Sequence, residues 1–300
     1  MMSDRQLAAI RSFLFTPANH PRRVEKVFQV GADAVILDLE DAVAVAEKVA
    51  TRAKVVAAFK QSHRHSRHSR HYVRVNGHDT DYCRDDMLAT VGPWLDGVVI
   101  PKVESAAALW EVDHWLSEAE ERAGLTPGSI DLLPIVETAR GVEEANAIAT
   151  AGTRVTRLAF GGGDYTLDLD YIWTADEEVL SYARARLSHA SRLGNLLPPV
   201  DTVVLQIKDH PRFEASARRG RAFGFSGKLC IHPDQVPLTH AVFTPSAEEI
   251  AHARAVVAAF DAAESAGLAS IQLDGYFIDY PIVYKSQRIL ALAELLAATE

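Results

Sequence analysis

The chain has 300 residues, 48% of them hydrophobic, enough to bury one barrel-sized core or two smaller ones. Its 31 Lys and Arg against 40 Asp and Glu leave a net charge of −9, which argues against a nucleic-acid partner, because gripping phosphates needs a basic face. There is no N-terminal apolar leader and no apolar run of about 18 residues, and Cys83 and Cys230 lie too far apart to form a zinc motif or a disulfide framework. The expectation is a soluble, reduced, cytoplasmic protein with neither a membrane nor a nucleic acid as partner.

Along the chain, apolar runs alternate with amphipathic ones. Ser12–Phe15 reads as a first strand ended by Thr16-Pro17, and Pro21 opens a helix that Gly31 stops. Ala34–Leu37 is apolar at every position, as a strand covered on both faces should be; it runs into Asp38, Glu40 and Asp41, and a helix follows from Ala42 to Phe59. The His- and Arg-rich tract from Gln61 to His71 has no spaced ligand set and reads as a solvated connection. Tyr72–Val75 and Gly97–Ile100 are the third and fourth strands, with helices expected over 79–90 and 105–123. Leu132–Val136, Val155–Phe160, Asp201–Val204 and Lys228–Ile231 complete eight strands, separated by helices over 142–149, 176–193 and 210–223.

Eight strands alternating with helices predict an α/β fold, a (βα)8 TIM barrel over residues 1–240, with an open doubly wound sheet as the alternative. Residues 241–300 form a C-terminal helical extension: a helix over 246–267, a glycine-containing connection over 268–279, and a last helix from Pro281. The extension is expected to pack on the barrel or on a neighbouring subunit.

In a barrel of this type the active site forms at the carboxyl ends of the strands. Those ends carry Thr16 and Pro17, Asp38, Glu40 and Asp41, Arg74 and Asn76, Lys102 and Glu104, Glu137, Asp164, Asp201 and His232, while the strand interiors are almost wholly apolar. Glu137 and Asp164 end successive strands, and two carboxylates suit magnesium, which completes its shell with water and substrate. Glu137 could instead cap a helix or pair with Arg140. Gly161-Gly162-Gly163 lacks the Lys-Ser/Thr of a phosphate loop and reads as a tight path that aims Asp164 inward. Arg74, opposite Val73 and Val75 in strand alternation, needs an anion: a substrate carboxylate or enolate oxygen, a buried pair with Asp38 or Glu40, or both. Asp38, Glu40 and Lys102 are supports behind these groups, and His232, before a proline, reads as a loop histidine.

These segments also carry a resemblance. RSFLFTP (Arg11–Pro17), DLEDAV (Asp38–Val43), VRVNG around Arg74, VVIPKVE (Val98–Glu104), PIVETARG (Pro134–Gly141), FGGGD (Phe160–Asp164), GKLCIHPDQV (Gly227–Val236) and DGYFIDYP (Asp274–Pro281) resemble, in order, the citrate lyase beta-subunit-like family of the HpcH/HpaI aldolase superfamily. The resemblance implies a (βα)8 barrel in homotrimers or hexamers. It implies a Mg2+-dependent carbon–carbon lyase acting on malyl-, citramalyl- or citryl-type thioesters of coenzyme A or an acyl carrier, with a class II aldolase on free hydroxy-keto acids and a carrier-dependent subunit as alternatives. It implies Glu137 and Asp164 as metal ligands, Glu137 and Arg74 at the substrate, and Arg74 as stabiliser of the enolate. Asp279, otherwise a loop acid before a proline, is implied as an acid or base supplied to a neighbouring subunit's site.

The chain departs from the family pattern at three places. Asp170 replaces a frequent glycine, Gln206 a frequent acid, and Pro198-Pro199 small residues; the His/Arg tract is not a family feature. These bear on substrate and thioester docking rather than on the carboxylate pair.

Overall fold

The computed structural model describes residues 9–65 and 69–298, and the chain divides into two compact units, the first ending at His240. In the first, strands β1 (Ser12–Pro17), β2 (Ala34–Asp38), β3 (Arg70–Arg74), β4 (Gly97–Ile100), β5 (Asp131–Val136), β6 (Ala159–Phe160), β7 (Val200–Asp201) and β8 (Gly227–Cys230) close into a parallel barrel, β8 pairing back onto β1. This excludes the open sheet. The helices between them are α1 (Pro21–Val27), α2 (Lys48–His65), α3 (Cys83–Thr90), α4 (Ala106–Arg122), α5 (Ala139–Glu143), α6 (Ala145–Ala149), α7 (Gly162–Asp168), α8 (Ser181–Leu193), α9 (His210–Ala222) and α10 (Gln235–Phe243), the last running into the second unit. Local signals set several ends: Pro lies in the first turn of α1 and α9, and the Ser105 and Asp209 side chains accept from the first-turn amides of α4 and α9.

Strand alternation decides what the barrel encloses. Phe13, Ala34, Ile36, Tyr72, Val99, Leu133, Ile135, Ala159, Val200 and Leu229 form one buried cluster inside it. Two residues beyond Ile36, Tyr72, Ile135 and Ala159, on the same inward parity, stand Asp38, Arg74, Glu137 and Gly161. The packed interior is therefore the floor on which the charged mouth is built.

Three expectations change. The tract after Gln61 is not a loose connection throughout: α2 continues to His65, and β3 begins at Arg70, two residues early. The buried His71 ring stacks on Phe59 at 4.8 Å and its Nδ1 donates to Trp94 O, 2.9 Å away, so this imidazole belongs to the helix–strand layer; residues 66–68 lie outside the described part. The sixth and seventh strands shrink to two residues each. The glycine triplet opens a helix, α7, because three small residues allow the backbone to turn tightly off β6, and this outweighs the apolar–polar alternation of Tyr165–Leu169.

The second unit holds α11 (Ala247–Ser265), a hairpin of β9 (Ile271–Leu273) and β10 (Tyr276–Ile278), and α12 (Tyr280–Ala297). Ser246 and Glu249 form a capping box at the start of α11. Val256, Phe260, Ile278 and Val283 make its own small core. The hairpin was not expected, although Asp274-Gly275 between Ile-Gln-Leu and Tyr-Phe-Ile signals it; both residues have positive φ, 48° and 83°, as a two-residue turn of this kind requires. Cys83 and Cys230 are free and buried. Among the described residues no helix is long and apolar enough to cross a membrane.

Candidate active site at the barrel mouth

Glu137 follows β5 directly and is 3% exposed. Its Oε1 accepts the backbone amide of Lys102 at 2.9 Å. Its other oxygen occupies the space a side chain would take at residue 161, since a Cβ built on Gly161 would fall 2.1 Å from Glu137 Oε2. Glycine at the end of β6 is thus required by the carboxylate on β5. Asp164 sits in the first turn of α7, half-buried, close enough that its charge acts on Glu137. Burial and then the Asp164 charge push the Glu137 carboxyl up to about 8, and Arg74 only partly opposes them.

Arg74 is largely buried and engaged on two sides. Its Nε and Nη2 donate to the Asp38 carboxylate at 2.7 and 2.6 Å, and Nη1 lies 2.7 Å from Glu40 Oε2. Two of the five N–H groups of the guanidinium are used on Asp38, while Nη1 faces Glu40 Oε2 as an ion pair without a hydrogen bond, and the Phe15 ring lies 4.9 Å from its central carbon. Burial works against the charge on Arg74, but Asp38, Glu40 and Glu137 outweigh it and hold the group protonated. Lys102 Nζ lies 2.5 Å from Glu40 Oε1 and 3.2 Å from Asp41 Oδ2. Burial raises the Glu40 carboxyl despite both cations. α7 is also tied to β5's exit, because Asp168 accepts the Ala139 amide at 2.7 Å.

The structure therefore brings together Asp38, Glu40, Arg74, Lys102, Glu137 and Asp164. It separates others. Asp201 does not face the mouth: its parity is outward, where it is fully buried against Arg184 and Lys228. The expected seventh strand was placed too late along the chain, and a one-residue shift reverses the face. Asn76 is drawn into a buried network with Lys48 and Asp86. Glu104 takes Arg140, at 3.9 Å, so Arg140 is not the partner of Glu137. His232 is partly exposed beside Asp234. Asp279 belongs to the second unit, half-buried at the start of α12, where its side chain does not cap the helix. Two residues that sequence reasoning passed over are Asp168, whose place one helical turn after Asp164 could have shown it, and Lys48, which carried no signal.

Among the described residues no three His, Cys, Asp or Glu side chains gather into a cation cage. Two hard oxygen donors remain, Glu137 and Asp164, beside a surplus of negative charge and a carboxylate whose ionised form lacks sufficient compensation. That donor set fits magnesium, which takes few protein ligands, and does not fit zinc or copper. Asp170 has φ 54°, in the left-handed region that favours glycine, and aspartate accepts the turn here.

Residues 11–233 match the family described as HpcH/HpaI aldolase/citrate lyase. The citrate lyase subunit beta of Leuconostoc mesenteroides subsp. cremoris is 34% identical, over 94% of this chain and 93% of the relative. A (3S)-malyl-CoA thioesterase of Cereibacter sphaeroides is 35% identical over 98% of both chains. Among solved structures, the protein CitE of Mycobacterium tuberculosis in complex with magnesium, acetoacetate and coenzyme A superposes with a TM-score of 0.77 and 29% identity, covering 95% of this chain and 98% of that one.

Proposed function

The chain belongs to the HpcH/HpaI aldolase/citrate lyase family, and on that premise we propose that it is a magnesium-dependent carbon–carbon lyase of a 3-hydroxyacyl-CoA thioester. The substrate is of malyl-, citramalyl- or citryl-CoA type, and the products are acetyl-CoA or a related acyl-CoA and a keto acid. One observation carries the reading: the under-compensated carboxylate of Glu137, with Asp164 close to it, stands beside a buried arginine with N–H groups to spare. The magnesium and coenzyme A in the related CitE complex support it.

Glu137 and Asp164 would hold magnesium, which supplies Lewis acidity to a hydroxyl or carbonyl oxygen of the substrate. As the substrate hydroxyl passes its proton to a carboxylate base, the Asp279 side chain of a neighbouring subunit, its electron pair forms the carbonyl of the keto acid, the adjacent C–C bond breaks, and that pair passes into the thioester as an enolate. Arg74 stabilises the enolate oxygen through its remaining N–H groups, held in a fixed orientation by Asp38 and Glu40 so that no reorganisation is needed as charge develops. An acid then protonates the enolate carbon to give the acyl-CoA. We assign that acid to Asp279 of a neighbouring subunit in a homo-oligomer, an assignment supported by the DGYFIDYP resemblance.

The test is a screen of malyl-, citramalyl- and citryl-CoA with magnesium, reading keto acid and free coenzyme A separately. Keto acid without free coenzyme A supports the lyase; free coenzyme A with intact hydroxy acid marks a thioesterase, the reaction named for the Cereibacter relative. Cleavage of only the free acids would mean a class II aldolase, and cleavage only after an acyl-carrier protein is added would mean a carrier-dependent subunit. For Asp279, mixed oligomers of Asp279→Ala and Arg74→Ala protomers should recover activity that neither variant has alone. No recovery in verified mixed oligomers refutes the shared site.

A further inference from the structure

Lys102 follows β4 with φ 53°, in the left-handed region where a residue bearing a Cβ is disfavoured and glycine is not. Strain held at a site of this kind calls for a return. The backbone supplies part of it, since the Lys102 amide donates to Glu137 Oε1 at 2.9 Å. Glycine would supply the same amide without the strain, so the choice of lysine has to be explained by the side chain.

Charges alternate from that side chain inward. The ammonium lies 2.5 Å from Glu40 Oε1, Glu40 Oε2 lies 2.7 Å from Arg74 Nη1, and Arg74 closes on Asp38 through two further bonds of 2.7 and 2.6 Å. The inner end of this ladder is fixed by backbone: the Glu40 and Ala42 amides donate to Asp38 at 2.9 and 3.3 Å. At the outer end the Glu40 carboxylate is held by Arg74 on one side and by Lys102 on the other, and Lys102 also meets the exposed Asp41. If the ammonium is removed, Glu40 can leave Arg74, and the guanidinium can pivot about Asp38.

We propose that Lys102 is a positioning residue that joins the two halves of the site: its ammonium clamps Glu40 onto Arg74, and its amide orients Glu137. This rests on the lyase reading above. Lys102 touches no reacting atom in this scheme, so its loss is felt in turnover rather than in binding.

The experiment uses the full chain with magnesium and whichever thioester the parent cleaves, and compares Lys102→Gly, Lys102→Arg, Glu40→Gln and the double variant Lys102→Gly/Glu40→Gln. Lys102→Gly keeps the amide and relieves the backbone, so magnesium affinity measured by calorimetry and KM should each stay within about threefold of the parent. The kcat should fall by about 10- to 100-fold, the size expected from misplacing a group near the chemistry. Lys102→Arg should recover most of the loss. The double variant should be no slower than the slower single one, because the two residues act as a unit. A Lys102→Gly kcat within twofold of the parent overturns the proposal. So does a loss carried wholly by KM, which would make Lys102 a substrate-binding group, and so do losses that multiply in the double variant. Should Lys102→Gly fail to fold, Lys102→Asn is read by the same criteria, since asparagine tolerates the left-handed region. An inert parent refutes the lyase reading alone; the urea unfolding curves of the same proteins then measure whether residues 102 and 40 are coupled, and additive losses there overturn the clamp.

Discussion

Two clusters of buried charge are built on the strands of one barrel, and their balances differ. Outside the barrel wall, Arg184 and Lys228 meet Asp201 and Glu177; Arg184 Nε is 2.9 Å from Asp201 Oδ1, its Nη2 2.7 Å from Glu177 Oε2, and Lys228 Nζ 2.7 Å from Asp201 Oδ2. Positive and negative groups match, and although burial works against the Asp201 charge, Lys228 and Arg184 outweigh it and hold the carboxyl below its ordinary range. At the mouth, Arg74 and Lys102 face Asp38, Glu40, Glu137 and Asp164, and the outcome has the opposite sign: Glu137 and Glu40 are both raised. A balanced buried cluster holds two layers together. An unbalanced one attracts positive charge, and it sits at the carboxyl ends of the barrel strands.

This contrast breaks if the wrong cluster supports catalysis. Glu137→Gln and Asp164→Asn should each lower thioester cleavage by about 10³-fold or more and abolish magnesium binding in calorimetry, as expected for groups acting at the transition state. Glu137→Gln should not lower the unfolding midpoint, because it removes a charge that the fold does not compensate. Asp201→Ala should do the reverse. Leaving Arg184 and Lys228 buried without their partner should cost about 3–5 kcal/mol in urea unfolding, while kcat of the folded fraction stays within twofold. A catalytic collapse in Asp201→Ala with unchanged stability would undo the distinction.

A smaller effect sharpens the geometry of the mouth. Gly161→Ala places a methyl where Glu137 Oε2 now lies; moving the carboxylate should weaken magnesium binding about tenfold and destabilise the fold by about 1–3 kcal/mol, the usual range for overpacking. Equal magnesium affinity in the two proteins would mean that Glu137 is not a ligand.

The smallest effect concerns a third cluster, on the side where the strands begin. Asp33 accepts the Arg11 amide at 2.7 Å and the Arg11 Nε at 3.1 Å, and lies 3.3 Å from His240. Burial opposes its charge, but His240 and Arg11 hold the carboxyl down at about 2, against an ordinary 3.8. A depressed carboxylate stabilises the fold fully above the unfolded pKa and loses that contribution as pH falls through the folded one. The chain should therefore lose about 2 kcal/mol between pH 4 and pH 2 through this group. Asp33→Asn should flatten that part of the stability–pH curve, and an unchanged slope would contradict the assignment.

The sequence by itself determined the eight-fold alternation and pointed to three of the charged groups that the structure gathers at the mouth. Apolar runs that stop abruptly at Glu137, at Asp164 and around Arg74 are legible because burying a lone charge at a strand end is costly without a purpose. The Asp-Gly hairpin was equally legible, though it was passed over as a connection. What only the tertiary structure decided is direction and pairing. Asp201 and Asp38 look alike as acids near strand ends, but parity sends one to the helices and the other to the mouth, and a shift of one residue reverses that outcome. The fit of Glu137 into the space beside Gly161, and the left-handed turn by which Lys102 reaches both Glu137 and Glu40, depend on contacts between strands far apart in the chain. No local pattern encodes them, because they arise only when the barrel closes.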